Sequence, residues 1–256
     1  MKALILAAGR GHRLWPFTAE RPKCMLTIGQ GISILEHQIA NLSMAGVDRV
    51  ALVCGYGLEQ IRSAVEACGT APHVKLVYNP FYAVADNLIS LWSARSEMDG
   101  DFILLNGDNI LHHDILPSLL ASEGDCTIAT NRKDAYDADD MKVEMRAGMA
   151  VRIGKGLPAA ETHAESVGLV KFTGEGVGRI RRTLEEVVVQ SSALRSLFTD
   201  ALQRMMDDGF EVSTVDIDGL PWVDVDTPED LKSVRQRQHL FCPLRANSAR
   251  HAAGRA

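Results

Sequence analysis

The stretch that decides the fold is "LILAAGRGHRLWPFTAERPKCML", residues 4–26. An aliphatic strand runs into a turn whose two glycines, Gly9 and Gly11, sit among Arg10, His12 and Arg13, and Lys23 follows a proline further on. Glycine tolerates positive φ and close backbone approach, so a Gly-rich turn after a strand can aim bare N–H groups at a phosphate chain. The turn therefore points to an anionic ligand.

Two common phosphate-loop patterns fail on spacing. A dinucleotide-binding turn needs a third glycine at position 14, where Leu14 stands, and no GxxxxGK[ST] run occurs anywhere in the chain. A third reading uses the whole stretch. Leu6 and the small Ala7 and Ala8 let the backbone pack under a base and ribose, Gly9 and Gly11 bend the chain, and Arg10, Arg13 and Lys23 supply charge for a triphosphate.

Outward from this turn, the aliphatic runs 2–7, 49–54, 74–78, 101–106 and 125–130 have strand length, and helix-like patterns at 34–45, 57–67, 87–97 and 114–121 alternate with them. Such alternation predicts βαβ units and a Rossmann-like, mostly parallel mixed sheet of an α/β fold, flanked by helices. After residue 131 the pattern changes. Residues 141–155 read as two short strands around Ala147-Gly148, and 165–172 as a third strand returning to the sheet, so a small β-rich insertion is expected there. Helices at 176–189 and 194–208, strands near 211–216 and 222–225, and a last helix with Thr227 as N-cap and Pro228 at its first position follow. The chain is read as one domain over 1–240, with a nucleotide-binding half at 1–130, an acceptor-binding half at 131–240 and a disordered tail at 241–256.

Composition narrows the partners. With 46% hydrophobic residues the chain can bury a sizeable core, and a formal charge of −6 argues against a sequence-independent nucleic-acid surface. Cys24, Cys54, Cys68, Cys126 and Cys242 are odd in number and lack metal-ligand spacing, which fits reduced, buried thiols in a cytoplasmic protein. No apolar run approaches the length of about 20 residues that crosses a membrane. His112, His113 and His163 show no ligand spacing and are read as surface residues.

Two carboxylate positions stand out. Asp108 follows a hydrophobic strand in "ILLNGDNIL", where open α/β folds bind ligands, and Asp224 and Asp226 lie two apart in "WVDVDTPEDL", on one face of an extended segment. Carboxylates from distant segments that meet over one cation suit Mg²⁺ together with phosphate oxygens.

The stretch 6–26, with Gly31 and "ILE" at 34–36, resembles the signature LAAGxGxRLxPxT…PKxLxxxxGxxxLE of nucleotidylyltransferases, which join an NTP to a phosphorylated small molecule. The resemblance implies that Gly9, Arg10, Gly11 and Arg13 handle triphosphate and that Lys23 meets the α-phosphate. It matches Asp108 and Asp226 to the family's metal-binding aspartates, with Asp224 behind them. Residues 78–94, "YNPFYAVADNLISLWSA", depart from the pattern of the sugar-1-phosphate members. Their form NxxYxxxxNxxSL is similar to cytidylyltransferases of choline phosphate, phosphonates or inositol phosphate, which places Asn79, Asp86, Asn87 and Ser90 near base and ribose and Gly55 and Tyr56 at the base edge. CTP is the expected donor. Lys142, Lys155, Glu165 and Ser166 are the acceptor-side candidates, and the low aromatic content favours a phosphonate or polyol phosphate over a quaternary amine. A sugar-1-phosphate enzyme using dTTP, UTP or GTP, and a non-catalytic nucleotide-binding subunit, are the rival readings; a homodimer is a further expectation.

Overall fold

The computed structural model describes residues 1–68 and 73–241. The chain opens with β1 (Lys2–Ala7), turns through a hairpin of β2 (Thr27–Gly29) and β3 (Ile32–Ser33), and enters α1 (Ile34–Met44). Then come β4 (Arg49–Cys54), α2 (Leu58–Cys68), β5 (His73–Tyr78), α3 (Asn87–Ser93), β6 (Phe102–Asn106), β7 (Asn109–Leu111), α4 (Ile115–Ala121) and β8 (Cys126–Asn131). The second half holds β9 (Lys142–Arg146), β10 (Met149–Gly154), β11 (Ala164–Phe172), α5 (Gly174–Val188), α6 (Phe198–Asp207), β12 (Val212–Asp216), β13 (Trp222–Asp224) and α7 (Pro228–Gln236).

One nine-stranded sheet runs in the order β5-β4-β1-β6-β11-β8-β12-β10-β9. β5, β4, β1 and β6 are parallel neighbours, and β1 is buried along its whole length, as a central strand covered on both faces must be. From β11 onward the pairing becomes mixed, because β11 runs antiparallel to both β6 and β8. The first residues of β11 also pair with β9, so the β-rich insertion is continuous with the main sheet and curls back on it.

The two faces carry separate apolar layers. Leu4, Leu104, Phe102 and Phe172 anchor one, and Phe102 stacks on Phe172 with ring centroids 4.8 Å apart. Ile5, Leu52, Ile103 and Leu105 anchor the other. A third cluster matters most for the site. Leu14, Ile28, Ile34, Ile110, Val225, Leu231 and Phe241 are all buried together, which packs the first loop against the start of α7. A buried leucine of this kind typically costs about 2–5 kcal/mol to truncate to alanine, so the loop is held by packing before any ligand arrives. Phe241 thus belongs to the fold, and the rest of the segment read as a tail lies outside the described residues.

Several boundaries shift for local reasons. The helix expected over 87–97 stops at Ser93, and a 3-10 turn over Arg95–Glu97 lets the buried Glu97 take ion pairs from Lys2 at 3.2 Å and Lys75 at 2.6 Å. The β2–β3 hairpin and β7 escape sequence reading because each has only two or three residues. Ser33 and Glu36 form a reciprocal capping box that starts α1, and Thr227 with Asp230 does the same for α7, as expected for Thr227. Cys24, Cys54 and Cys126 are buried free thiols; burial pushes the first two up to about 12 and takes Cys126 further, so all three are packing residues. The side chain of Cys68 and all of Cys242 lie outside the described residues. Among the described residues no helix is long and apolar enough to cross a membrane.

Candidate active site

The carboxyl ends of β1 and β6 lie side by side, with Leu6 in register with Asn106. The chain leaves both strands at one point, and Gly107 permits this. A Cβ there would stand 2.6 Å from the Leu6 carbonyl oxygen and 2.7 Å from Ala7 Cα, so only glycine lets the Asp108 turn cross so near the Gly-rich loop. Gly107 donates to the Leu6 carbonyl at 2.9 Å, and the Asp108 carbonyl accepts from Val225 N–H at 3.1 Å. That second bond continues the antiparallel pairing of β13 with β7 and draws residues 224–226 to Asp108.

Gly11 has φ +67°, a conformation that favours glycine, and a Cβ on it would sit 3.1 Å from Lys23 Cβ. The loop and the Lys23 turn are thereby nested. The Lys23 ammonium lies 2.7 Å from Asp108 Oδ2 and 2.6 Å from Asp226 Oδ1, although more than 200 residues separate the ends of this triad in sequence. Arg13 adds a bond from Nη2 to Asp226 Oδ2 at 2.7 Å and one from Nη1 to Asp139 Oδ2 at 2.9 Å. Burial works against the charge on Lys23, yet Asp108 and Asp226 together outweigh it and hold the ammonium above its ordinary value. Asp224 stands behind them, accepting from Asn109 Nδ2; burial first, and then the like charge of Asp108, raises its carboxyl well above the usual range.

These residues suit a hard divalent cation. All donors are oxygens, and Asp108 Oδ1 is buried with no hydrogen-bond partner, so a lone pair faces inward unspent.

The triad opens into one cleft of about 880 Å³, a size that suits a nucleotide beside a second small molecule. Leu6, Ala7, Ala8, Gly9, Gly11 and Arg13 line the side of the opening loop, with Asp86, Asn87 and Ser90 beyond them. Lys155, Glu165 and Ser166 line the far side. Other candidates fall outside the lining. Arg10 lies over the rings of Tyr56 and Tyr82, at 5.6 and 5.8 Å, and Tyr56 donates to the Ala19 carbonyl. Gly55 packs beneath Tyr82 and Ala8. Asn79 is fully buried; it donates to Ser90 Oγ at 3.0 Å and accepts from Phe81 N–H, so it supports the wall from behind. Asn87 lines the cleft, but its Oδ1 accepts from Phe198 N–H at 2.8 Å and ties the start of α6 to α3. Lys142 is turned inward: it is buried and donates to the Lys155 carbonyl at 2.8 Å, which staples the β9–β10 pair and takes its charge away from the cleft. His112, His113 and Asp114 bring one ligand atom each within 4.8 Å of one another, closer than the sequence implied, but none lines the cleft.

The far wall contains residues that sequence reasoning passed over. Lys133 reaches Asp140 at 2.8 Å and Glu165 at 2.9 Å, and Asp139 accepts from both Arg13 and Lys155. They sit in an irregular segment with no motif, and a charge run such as "KDAYDADD" reads as solvated surface until the fold turns it inward. Tyr82, in contrast, was within the quoted NxxYxxxxNxxSL form and lines the cleft directly.

Comparison with known proteins now bears on this geometry. A family model described as the MobA-like NTP transferase domain matches residues 3–239. The chain belongs to that family. It is 29% identical over 236 residues to the "Bifunctional IPC transferase and DIPP synthase" of Rubrobacter xylanophilus, covering 90% of this chain and 50% of that protein. It is 33% identical over 157 residues to the choline-phosphate cytidylyltransferase of Streptococcus pneumoniae, covering 58% of this chain and 66% of that one. The 2-aminoethylphosphonate cytidylyltransferase of Lancefieldella rimae matches at 28% over 205 residues, 78% of each chain. The chain thus spans about half the length of the Rubrobacter relative and just under two thirds of the Streptococcus one. The fold is that of the inositol-1-phosphate CTP transferase from T. maritima, with a TM-score of 0.78 over 93% of this chain and 95% of that one at 22% identity. The family and fold expected from the sequence are both borne out, and the Streptococcus and Lancefieldella relatives are named as cytidylyltransferases of the kinds the 79–91 segment resembles.

Proposed function

We propose that this cleft transfers a cytidylyl group from CTP to a small phosphorylated or phosphonate acceptor, releasing pyrophosphate. The observation that carries the reading is the convergence of Lys23, Asp108 and Asp226 under the Gly-rich loop, in a cleft that continues into a second, charged chamber. In this reading the amides after Ala8 receive the triphosphate, and Arg13 and Lys23 turn toward it. Asp108 and Asp226 would hold Mg²⁺, which would supply Lewis-acid stabilisation to the phosphoryl oxygens. Asp224, whose carboxyl burial raises, accepts from Asn109 and so supports the Asp108 turn.

The acceptor needs no general base. A phosphate monoester has a second pKa of about 6, so its oxygen is already ionised near neutral pH and attacks the α-phosphorus in line. Catalysis is then positioning and charge neutralisation, a role for which a Lys23 held firmly charged is suited. Ser90, braced by Asn79, and the Ala8 backbone provide the polar groups nearest a pyrimidine edge. Glu165, Ser166, Lys133 and Lys155 surround the acceptor.

The experiment is pyrophosphate release over a matrix of CTP, UTP, dTTP and GTP against choline phosphate, inositol phosphate, 2-aminoethylphosphonate and sugar 1-phosphates. CTP should exceed UTP by roughly tenfold or more in kcat/KM, because a site that pairs with one base leaves buried groups unpaired with the other. A preference for dTTP or UTP with a sugar 1-phosphate would move the protein to the sugar-nucleotide branch.

A further inference from the structure

The position between the two candidate metal ligands is bridged by a side chain of the protein itself. Lys23 Nζ is within 2.7 Å of Asp108 Oδ2 and 2.6 Å of Asp226 Oδ1, and its side chain is only 14% exposed. Magnesium binds carboxylate oxygens at about 2.0–2.1 Å, so an ion on these two oxygens would sit against the ammonium on the same two, and the two cations compete for them. We propose that Lys23 is an internal cation that blocks divalent metal in the nucleotide-free protein, so that metal and triphosphate enter together. The proposal rests on the reading above, in which Asp108 and Asp226 are the metal ligands.

Three features carry it. Both candidate ligands already have cationic partners: Lys23 pairs with Asp108 and Asp226, and Arg13 pairs with Asp226 and Asp139. A dication alone would have to displace two cations with no new anion to receive them, whereas a metal–triphosphate complex brings anionic oxygens for both. Next, the lysine has somewhere to go. Its stem packs along Gly11, with Cβ and Cδ 3.1 and 3.3 Å from where a Gly11 Cβ would stand, so rotation of its last bonds carries the ammonium along the loop that faces the phosphates. Finally, Nζ takes Asp108 Oδ2 and Asp226 Oδ1 while Asp108 Oδ1 is buried with no hydrogen-bond partner, so a metal gains both carboxylates without a rival only when Nζ withdraws. By linkage, whatever draws Lys23 away raises metal affinity, and metal raises nucleotide affinity by the same factor.

The test is Mn²⁺ binding to the full chain without nucleotide, followed by electron paramagnetic resonance of the free ion. Lys23→Met should bind Mn²⁺ at least ~10-fold more tightly than the wild type, the opposite sign from the loss of a ligand. Lys75→Met, which removes a cation outside the cleft whose partner is Glu97, should stay within about twofold. CTP should raise the affinity of the wild type strongly and that of Lys23→Met far less. Equal or weaker binding by a cooperatively folding Lys23→Met protein overturns the proposal. Should that variant not fold, wild-type affinity that is indifferent to CTP overturns it as well. Asp108→Asn separates the two layers: unchanged Mn²⁺ binding in that variant removes both the ligand reading and the proposal, while lost binding without tightening in Lys23→Met removes the proposal alone.

Discussion

On the loop side of the cleft, which the proposal gives to the nucleotide, the two cations are Lys23, paired with Asp108 and Asp226, and Arg13, paired with Asp226 and Asp139. On the opposite side, which the proposal gives to the acceptor, Lys133 is matched to Asp140 and Glu165, and Lys155 to Asp139, which Arg13 also reaches from the loop. The first side stands on the ends of parallel strands β1 and β6; the second is assembled from 131–168 and depends on antiparallel pairings of β8, β9 and β11. A triphosphate is the same in every nucleotide, so a generic cradle serves it. An acceptor must be told from others of similar charge, and a mutually paired set of side chains changes only as a set.

If the two sides are separable in this way, variants should sort by the kinetic constant they move. The largest effect belongs at their junction. Asp108→Asn should reduce turnover by at least ~100-fold and EDTA should abolish it, as for the loss of a central electrostatic element. Full activity in Asp108→Asn, assayed by pyrophosphate release, would remove this residue from the site. Lys23→Ala should come next, lowering kcat far more than it weakens CTP binding, because the charge it meets grows in the transition state. A normal kcat with only a raised KM would show that Lys23 serves the ground state.

The smallest effect sharpens the comparison most. Lys133→Met frees Asp140 and Glu165 on the acceptor wall and touches nothing on the nucleotide side. It should raise KM for the acceptor about three- to tenfold and leave KM for CTP within about twofold, in keeping with a charge contact in a partly open site. Matching changes in both constants, from initial rates over a two-substrate grid, would show that the two sides are coupled.

Legibility in the sequence followed the same division. β1, β4, β5 and β6 were readable to within a residue because buried parallel strands are unbroken aliphatic runs, and the position of the cleft at their ends was readable from the turn of Gly9 and Gly11 with Arg13 and Lys23, all of which line it. Asp108 and Asp226 were legible as strand-end carboxylates, although only the β7–β13 pairing brings them together. What was not legible depends on which way a side chain turns. Asn79 and Lys142 are of the right type but face away from the cleft, while Lys133, Asp139 and Asp140 look like solvent-facing charges and face into it. No local pattern distinguishes these cases, since non-local strand pairing decides them.

The most direct test of the account is the chemical identity of the product. With CTP, Mg²⁺ and 2-aminoethylphosphonate, choline phosphate or inositol phosphate, phosphorus NMR should show one acceptor giving a pair of mutually split resonances from a new P–O–P linkage, together with free pyrophosphate in equal amount. Release of CMP and pyrophosphate with the acceptor resonance unchanged, or consumption of another nucleotide in preference to CTP, would contradict it.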